Sequence, residues 1–328
     1  MKEVLKALAV KPGDTVVDAT LGGAGHFKAL IAELGEGGTI IGIDADSGAV
    51  ERGREVYAED RRPERPTAHL VNDNFRNLSR ILERLGVGQA DAILFDLGWS
   101  GYQISAPRGF SFSAESPNGI QADPSKSEAF VGQPLLMTYG DGGETAADIV
   151  NSSSEETLAE IIFTYGEERF ARGIARAIVK ARAKERILTT GALVSAINAG
   201  TPAWYHKQKT HPATKTFQAL RIAVNDEIGT LREGLSAALP ALAPNGRLAV
   251  ISFHSIEDRI VKNILRDASN SGLGTLSHKK PIVPTRAEVL ANHRARSAKL
   301  RVFERVFERV SAVHAGLVDS ATAIHSYA

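Results

Sequence analysis

Residues 16–26, VVDATLGGAGH, constrain the fold of this chain more than any other stretch. A β-branched run ends in a carboxylate, Asp18, and Gly22, Gly23, Gly25 and His26 follow before an apolar helical pattern, HFKALIAEL. A second β-branched run, TIIGID, occupies 39–44. Strand, glycine turn, helix, strand is one βαβ unit, the crossover that two parallel neighbouring strands require. Glycines at such a turn let a ligand press against the backbone at the start of a helix.

The alternation continues. Residues 47–57 read as a helix, 68–71 as a weak strand and RNLSRILERLG as an amphipathic helix closed by Gly86. ADAILFDLG, 90–98, is a buried strand ending on Asp96. This order predicts a doubly wound, largely parallel α/β sheet. From 99 to 140 the chain turns rich in Gly, Ser, Pro and Asn, with an irregular loop expected over 113–134. Residues 144–200 are helical in pattern without convincing strands. One long helix is expected over 214–239, then a buried strand in APNGRLAVISF, a helix SIEDRIVKNILRDA, a basic loop and a last strand AKLRVFERV. The expected division is an α/β domain from 1–104 and 205–306, a mainly helical substrate-recognition insertion at 105–204, and a tail at 307–328.

Composition narrows the classes. Hydrophobic content of 43% and charged content of 23% are those of a soluble globular protein. No apolar run approaches the roughly 20 residues that span a bilayer. The start, MKEVLKALAVKPGD, has no signal-type apolar core. Without cysteines there are neither disulfides nor thiolate metal sites, and a cytoplasmic protein is expected. The nine histidines form no spaced ligand set, so no metal is expected.

The glycine turn discriminates among ligands. A phosphate-binding loop needs Gly-Lys-Ser/Thr at its end, and GGAGHF has none. A dinucleotide fingerprint needs a third glycine where this chain has Phe27 and Lys28. Asp44 ends the second strand, where a carboxylate accepts from both ribose hydroxyls, and Asp96 ends the fourth beside the switch-point crevice. Together they favour S-adenosylmethionine over a nicotinamide cofactor. Asp18 either caps the turn that follows it or stands near the donor.

DLGWSGYQ, RGFSF, YGEERFARGIARAIV, HPATKTFQALRI with VN, and ISFHSIEDRIVK then follow in order. With these motifs the chain, from about residue 3 to 306, resembles the bacterial 16S rRNA cytosine-N4 methyltransferases of the RsmH or MraW type. The resemblance implies a class I S-adenosylmethionine-dependent, Rossmann-like fold with an inserted helical domain. It implies a donor site at Gly23, Ala24, Gly25 and His26, at Asp44, at Phe75 against the adenine, and at Asp96 and Gln103. It implies the small ribosomal subunit as partner, a cytidine of the 16S decoding region as target, and no membrane; it leaves room for a homodimer. The chain departs from the family in having GGAGH where GGGGH or GRGGH is usual, tolerable if Ala24 keeps a negative φ. It has DLGWSGYQ for DLGVSSPQ and QPLLMTYGDG at 133–142 for GPLDMRMD, and it lacks the family's H-x-P-V-L lead-in.

The exocyclic N4 of cytosine has its lone pair delocalised into the ring, so the amine must be oriented and its rehybridisation supported while the methyl arrives. Asp96 is the first candidate for accepting from that amine, with Asn225 and His254 of the "SFHS" turn as further candidates. Trp99 and Tyr102 either stack the extruded base or simply cover the sheet. For the RNA backbone, Arg169, Arg172, Arg176 and Lys180 share one face of a helix, which otherwise is an ordinary solvated face. Arg108, Lys207, Lys209, Lys279, Lys280, Arg294 and Arg296 are further RNA candidates, and Arg286, Lys299 and Arg301 extend the last basic zone. Two other readings stand beside this one: a methyltransferase acting on another RNA or DNA base, and a non-catalytic ribosome-assembly factor.

Overall fold

The computed structural model describes residues 1–98, 108–110, 132–139, 142–208 and 210–306. Its centre is a seven-stranded sheet of β1 (Thr15–Asp18), β2 (Thr39–Asp44), β3 (Thr67–Asn72), β4 (Ala90–Asp96), β5 (Leu242–Ser252), β6 (Gly274–Leu276) and β7 (Lys299–Arg305), in the order β3-β2-β1-β4-β5-β7-β6. Strands β1 to β5 pair in parallel, and β7 runs antiparallel to both β5 and β6. This is the doubly wound, Rossmann-like sheet expected from the sequence. Strand order reverses between β1 and β4, so the crevice beyond their carboxyl ends is where such a sheet binds its ligand.

The strands are apolar almost without interruption because helices cover both faces. Val16, Leu94 and Ala249 point to one face, beneath α1 (Lys2–Leu8), α2 (Gly25–Leu34) and α3 (Ser47–Glu59). Val17, Phe95 and Val250 point to the other, beneath α4 (Leu78–Arg84) and two later helices. Helix α1 carries no turn signal in the sequence; burial of Val4 and Leu8 holds it. Among the described residues no helix is long and apolar enough to cross a membrane.

Between β4 and β5 lie α5 (Ala146–Ser152), α6 (Glu155–Gly166), α7 (Ala171–Arg182), α8 (Thr190–Ala199) and α9 (Ala213–Val224). Helices α5, α6 and α8 are capped by side chains that satisfy otherwise orphaned N–H groups: Thr145 with Asp148 in a reciprocal box, Ser154, and Thr189. Ile149, Ile162, Ile174, Leu193 and Phe217 share one apolar cluster separate from the sheet. Phe217 and Leu220 of α9, beyond residue 204, also belong to this cluster.

The single helix expected over 214–239 is two. Helix α9 stops at Val224, Asp226 takes a left-handed conformation (φ 45, ψ 45), and α10 spans Glu227–Ala241. The apolar period runs on through the break, but Asn225 and Asp226 are residues whose short polar side chains support such a turn. Asn225 donates to the Met137 carbonyl (2.7 Å) and accepts from the Tyr139 N–H (3.0 Å), tying the break to the 137–139 segment. Strand β6 is too short to read from its three residues and exists through pairing with β7. Helix α11 (Ser255–Asn270) then returns to the sheet, and α12 (Arg286–Ala291) lies in the basic segment before β7.

Candidate active site

A cavity of about 540 Å³ opens at the carboxyl ends of β1 and β4. Its donor side is built by the turn after β1. Both oxygens of Asp44 are anchored by backbone N–H groups, Gly22 to Oδ2 (2.8 Å) and Asp46 to Oδ1 (2.9 Å). Burial raises the Asp44 pKa, and these two donors pull against it. Arg52 reaches the Gly22 carbonyl (3.1 Å) and locks the turn from outside.

Ala24, the N-cap of α2, has φ 58, so the condition of a negative φ is not met, and its N–H donates to Leu21 O at 2.6 Å. The tight turn imposes this conformation, and an alanine pays about 1 kcal/mol there where glycine would not.

Phe75 stands on a short 3-10 turn and meets Phe95 edge to face, with ring centroids 5.2 Å apart. Gly234 of α10 makes room for it, since a Cβ there would lie 2.5 Å from Phe75 Cδ2.

Three carboxylates gather at the switch point. The Asp96 N–H donates to Thr20 Oγ1 (2.7 Å), and His26 Nδ1 lies 3.2 Å from Asp96 Oδ2. Asp96 Oδ1 and Asp18 Oδ2 are buried with no hydrogen-bond partner among the described residues. Asp18 is fully buried and accepts from Thr20 N (3.2 Å); desolvation pushes its pKa up to about 7 against the pull of His26. Burial opposes the His26 imidazolium, but the hydrogen bond and charge of Asp96 outweigh it and raise the His26 pKa. Orphaned carboxyl oxygens beside an anchored carboxylate suit a ligand that brings positive charge and hydroxyls together, and S-adenosylmethionine is such a molecule.

The opposite wall joins both parts of the chain. The Tyr139 hydroxyl donates to Glu227 Oε1 (2.5 Å), and the buried Arg221 guanidinium grips both Glu227 oxygens at 2.7 Å. Burial and the Glu227 charge hold the Tyr139 pKa well above its usual value. Glu257 accepts from Phe253 N (2.8 Å) and His254 N (3.3 Å), and the His254 ring caps α11 by accepting from Glu257 N (3.4 Å). Glu227, His254 and Glu257 each bring a ligand atom within 4.8 Å of one another, a grouping not visible in the sequence. Arg221 already neutralises Glu227, and the helix cap engages the other two.

Of the residues expected from the sequence, Gly23, Gly25, His26, Asp44, Phe75, Asp96, Asn225 and Arg294 line the cavity. Ala24 is buried in the turn behind it, and His254 sits in the cap beside Glu257. Asn225 also donates to Arg221 O (2.9 Å), so both amide hydrogens go to backbone carbonyls. Arg108 reaches the carbonyls of Thr138 (3.3 Å) and Tyr139 (3.4 Å) and so braces the acceptor wall from behind. Trp99, Tyr102, Gln103 and Lys209 lie outside the described residues.

Arg169, Arg172, Arg176, Lys180, Lys207, Lys279, Lys280 and Arg296 are exposed. Arg176 is 3.3 Å from Glu155, which takes part of its charge. Lys299 and Arg301 are corrected from the basic zone: they belong to β7, where Asp258 holds them at 2.9 and 2.7 Å. Tyr139, Glu227, Glu257 and Asn292 also line the cavity and were not read from the sequence. Tyr139 lies in the one element that departs most from the family pattern, and that departure was the available signal.

The model of the MraW methylase family matches residues 1–306. A protein of Deinococcus radiodurans named ribosomal RNA small subunit methyltransferase H is 47% identical over 304 residues, covering 92% of this chain and 87% of that protein. A Brevibacillus brevis protein of the same name is 42% identical over 324 residues, covering 93% and 96%. A match of this extent, over a sheet whose switch point carries Asp44 and Asp96, means that the chain belongs to the MraW methylase family.

Proposed function

We propose that this chain methylates the exocyclic N4 of a cytidine in the decoding region of 16S rRNA, with S-adenosylmethionine as donor. The observation that carries the reading is Asp96. It ends β4 at the switch point, with Oδ2 toward His26 and Oδ1 buried and without a partner. The relatives' names supply the substrate class, small-subunit ribosomal RNA.

When bound, the donor supplies a methyl group already activated on a sulfonium. Asp44 accepts from the ribose hydroxyls, Phe75 covers an adenine face, and the Gly22–Gly25 turn brings backbone close to the donor. Asp96 Oδ1 accepts from the target amine and orients it, which favours rehybridisation of N4 as the new bond forms. The surplus proton passes from the methylated nitrogen to Asp96 Oδ1, leaving a neutral amine and a neutral carboxyl, while His26 at 3.2 Å holds Oδ2 in place. Positioning supplies most of the rate, since the leaving group needs no activation. Tyr139 and Phe253 close the acceptor side of the cavity.

The test is methyl transfer from labelled donor to small ribosomal subunits lacking the modification, with nucleoside mass analysis. N4-methylcytidine at one site is expected. Label in another nucleoside would overturn the acceptor while keeping the enzyme class. No label, with donor binding intact, would overturn the substrate.

A further inference from the structure

We propose that Trp204 and Arg169 form a platform on the helical insertion that stacks an unpaired base of the substrate RNA, outside the catalytic cavity. The proposal rests on the reading of the chain as an rRNA methyltransferase and names a contact that reading does not contain.

Trp204 lies on a 3-10 turn, Ala203–Lys207, and is 53% exposed. Its surroundings are built. The Arg169 guanidinium carbon sits 4.7 Å from the Trp204 ring centroid, 4.9 Å from Phe170 and 5.4 Å from Tyr205. The three rings meet edge to face, with Phe170 and Tyr205 centroids 4.9 Å apart. Below them Glu168, fully buried, accepts from the Tyr205 hydroxyl (2.6 Å) and from Phe170 N (2.9 Å). The Tyr205 ring is therefore anchored through its hydroxyl, and Trp204 packs edge to face on it and on Phe170 while staying half in water.

Leaving that much aromatic surface wet forgoes stability that burial would recover. The charge around it indicates what recovers it. Arg169, Arg172, His206 and Lys207 are all exposed on or beside this surface. The acids nearest in sequence are turned away: Glu168 lies beneath the rings, and Glu167 engages Ser255 and Arg259, both at 2.5 Å. A positive rim around a fixed aromatic face complements a phosphate backbone carrying a splayed base. An apolar protein partner would not use the three cations Arg169, Arg172 and Lys207.

The experiment measures affinity for protein-free small-subunit rRNA across a salt series. Stacking on an aromatic ring is typically lost at roughly 5- to 150-fold in affinity on truncation to alanine. Trp204→Ala is expected to weaken binding by that order with the salt slope unchanged, and Trp204→Phe to keep most of the affinity. Arg169→Gln is expected both to weaken binding and to lower the slope by about one. Donor affinity, measured by calorimetry on the same preparations, stays at the wild-type value and reports that the fold is intact. Wild-type affinity in Trp204→Ala would overturn the platform. So would a loss seen only with intact subunits and not with protein-free rRNA, since the partner would then be a protein. If wild-type enzyme fails to methylate subunits while Trp204→Ala still weakens RNA binding, the functional reading fails and the platform stands.

Discussion

The donor turn and the helical insertion solve opposite electrostatic problems. At the donor turn, short carboxylates are buried at strand ends and fixed by backbone N–H groups: Asp44 by Gly22 and Asp46, Asp18 by Thr20. On the insertion the charged groups are long cations on exposed faces, with α7 burying Ile174 and Ile178 while Arg172 and Lys180 stay in water. A small cationic donor is bound by few charges in low dielectric, where position decides the energy. A polyanion is bound by many screened charges, where number and spread decide it. The two regions should therefore fail differently.

The sharpest way to break the contrast is Asp96→Asn. Turnover is expected to fall by roughly 10²- to 10⁴-fold with little change in RNA affinity; equal losses in both would move Asp96 into docking. Asp44→Ala should weaken donor binding by about 1–3 kcal/mol in calorimetry, with no salt dependence of that loss. Unchanged donor binding would contradict the ribose assignment.

Asp18 gives a pH test. Its pKa is near 3.8 unfolded and about 7 folded, so between those values the folded state binds more protons and stability falls as pH rises. Asp18→Asn cannot ionise, and its stability relative to the parent should grow from pH 4 to pH 8, by on the order of 4 kcal/mol in denaturant melts. Parallel pH profiles would show that Asp18 stays ionised in the fold.

Gly234→Ala should displace Phe75 and weaken donor binding by roughly tenfold, again without touching RNA affinity. The smallest effect is expected from Arg172→Gln. It should reduce the salt slope of RNA binding by somewhat under one while leaving donor affinity alone.

What the sequence made legible was local in the chain. The βαβ unit, Asp44 and Asp96 are read from strand ends and the glycines between them, because a strand, its turn and its helix are contiguous. The His26–Asp96 pair joins residues far apart in the chain, and only the parallel pairing of β1 with β4 brings them together. The same holds for Tyr139 on Glu227 and for Phe75 under Gly234. The break at Asn225–Asp226 escaped because hydrophobic period reports which face is buried, not where the axis bends. Lys299 and Arg301 read as phosphate contacts because strand alternation cannot show that Asp258 sits opposite them. Trp204 was passed over because one aromatic in a loop has no pattern; its meaning comes from the ring cluster below it.

The pairing of β4 with β5 also bears on how the chain folds. The two strands hydrogen-bond over Ala90–Asp96, yet the whole helical insertion is threaded between them. Until β5 emerges, β4 is an open edge of apolar residues with unpaired backbone groups, a template for unwanted association. Helices α6 and α9, from the two halves of the insertion, pack directly on each other, so folding of the insertion draws the two ends of its segment together. A folded insertion thus shortens the loop whose closure completes the sheet and lowers its entropic cost. Damage to its core, at Ile174 or Phe217, would slow the closing of a sheet that neither residue touches.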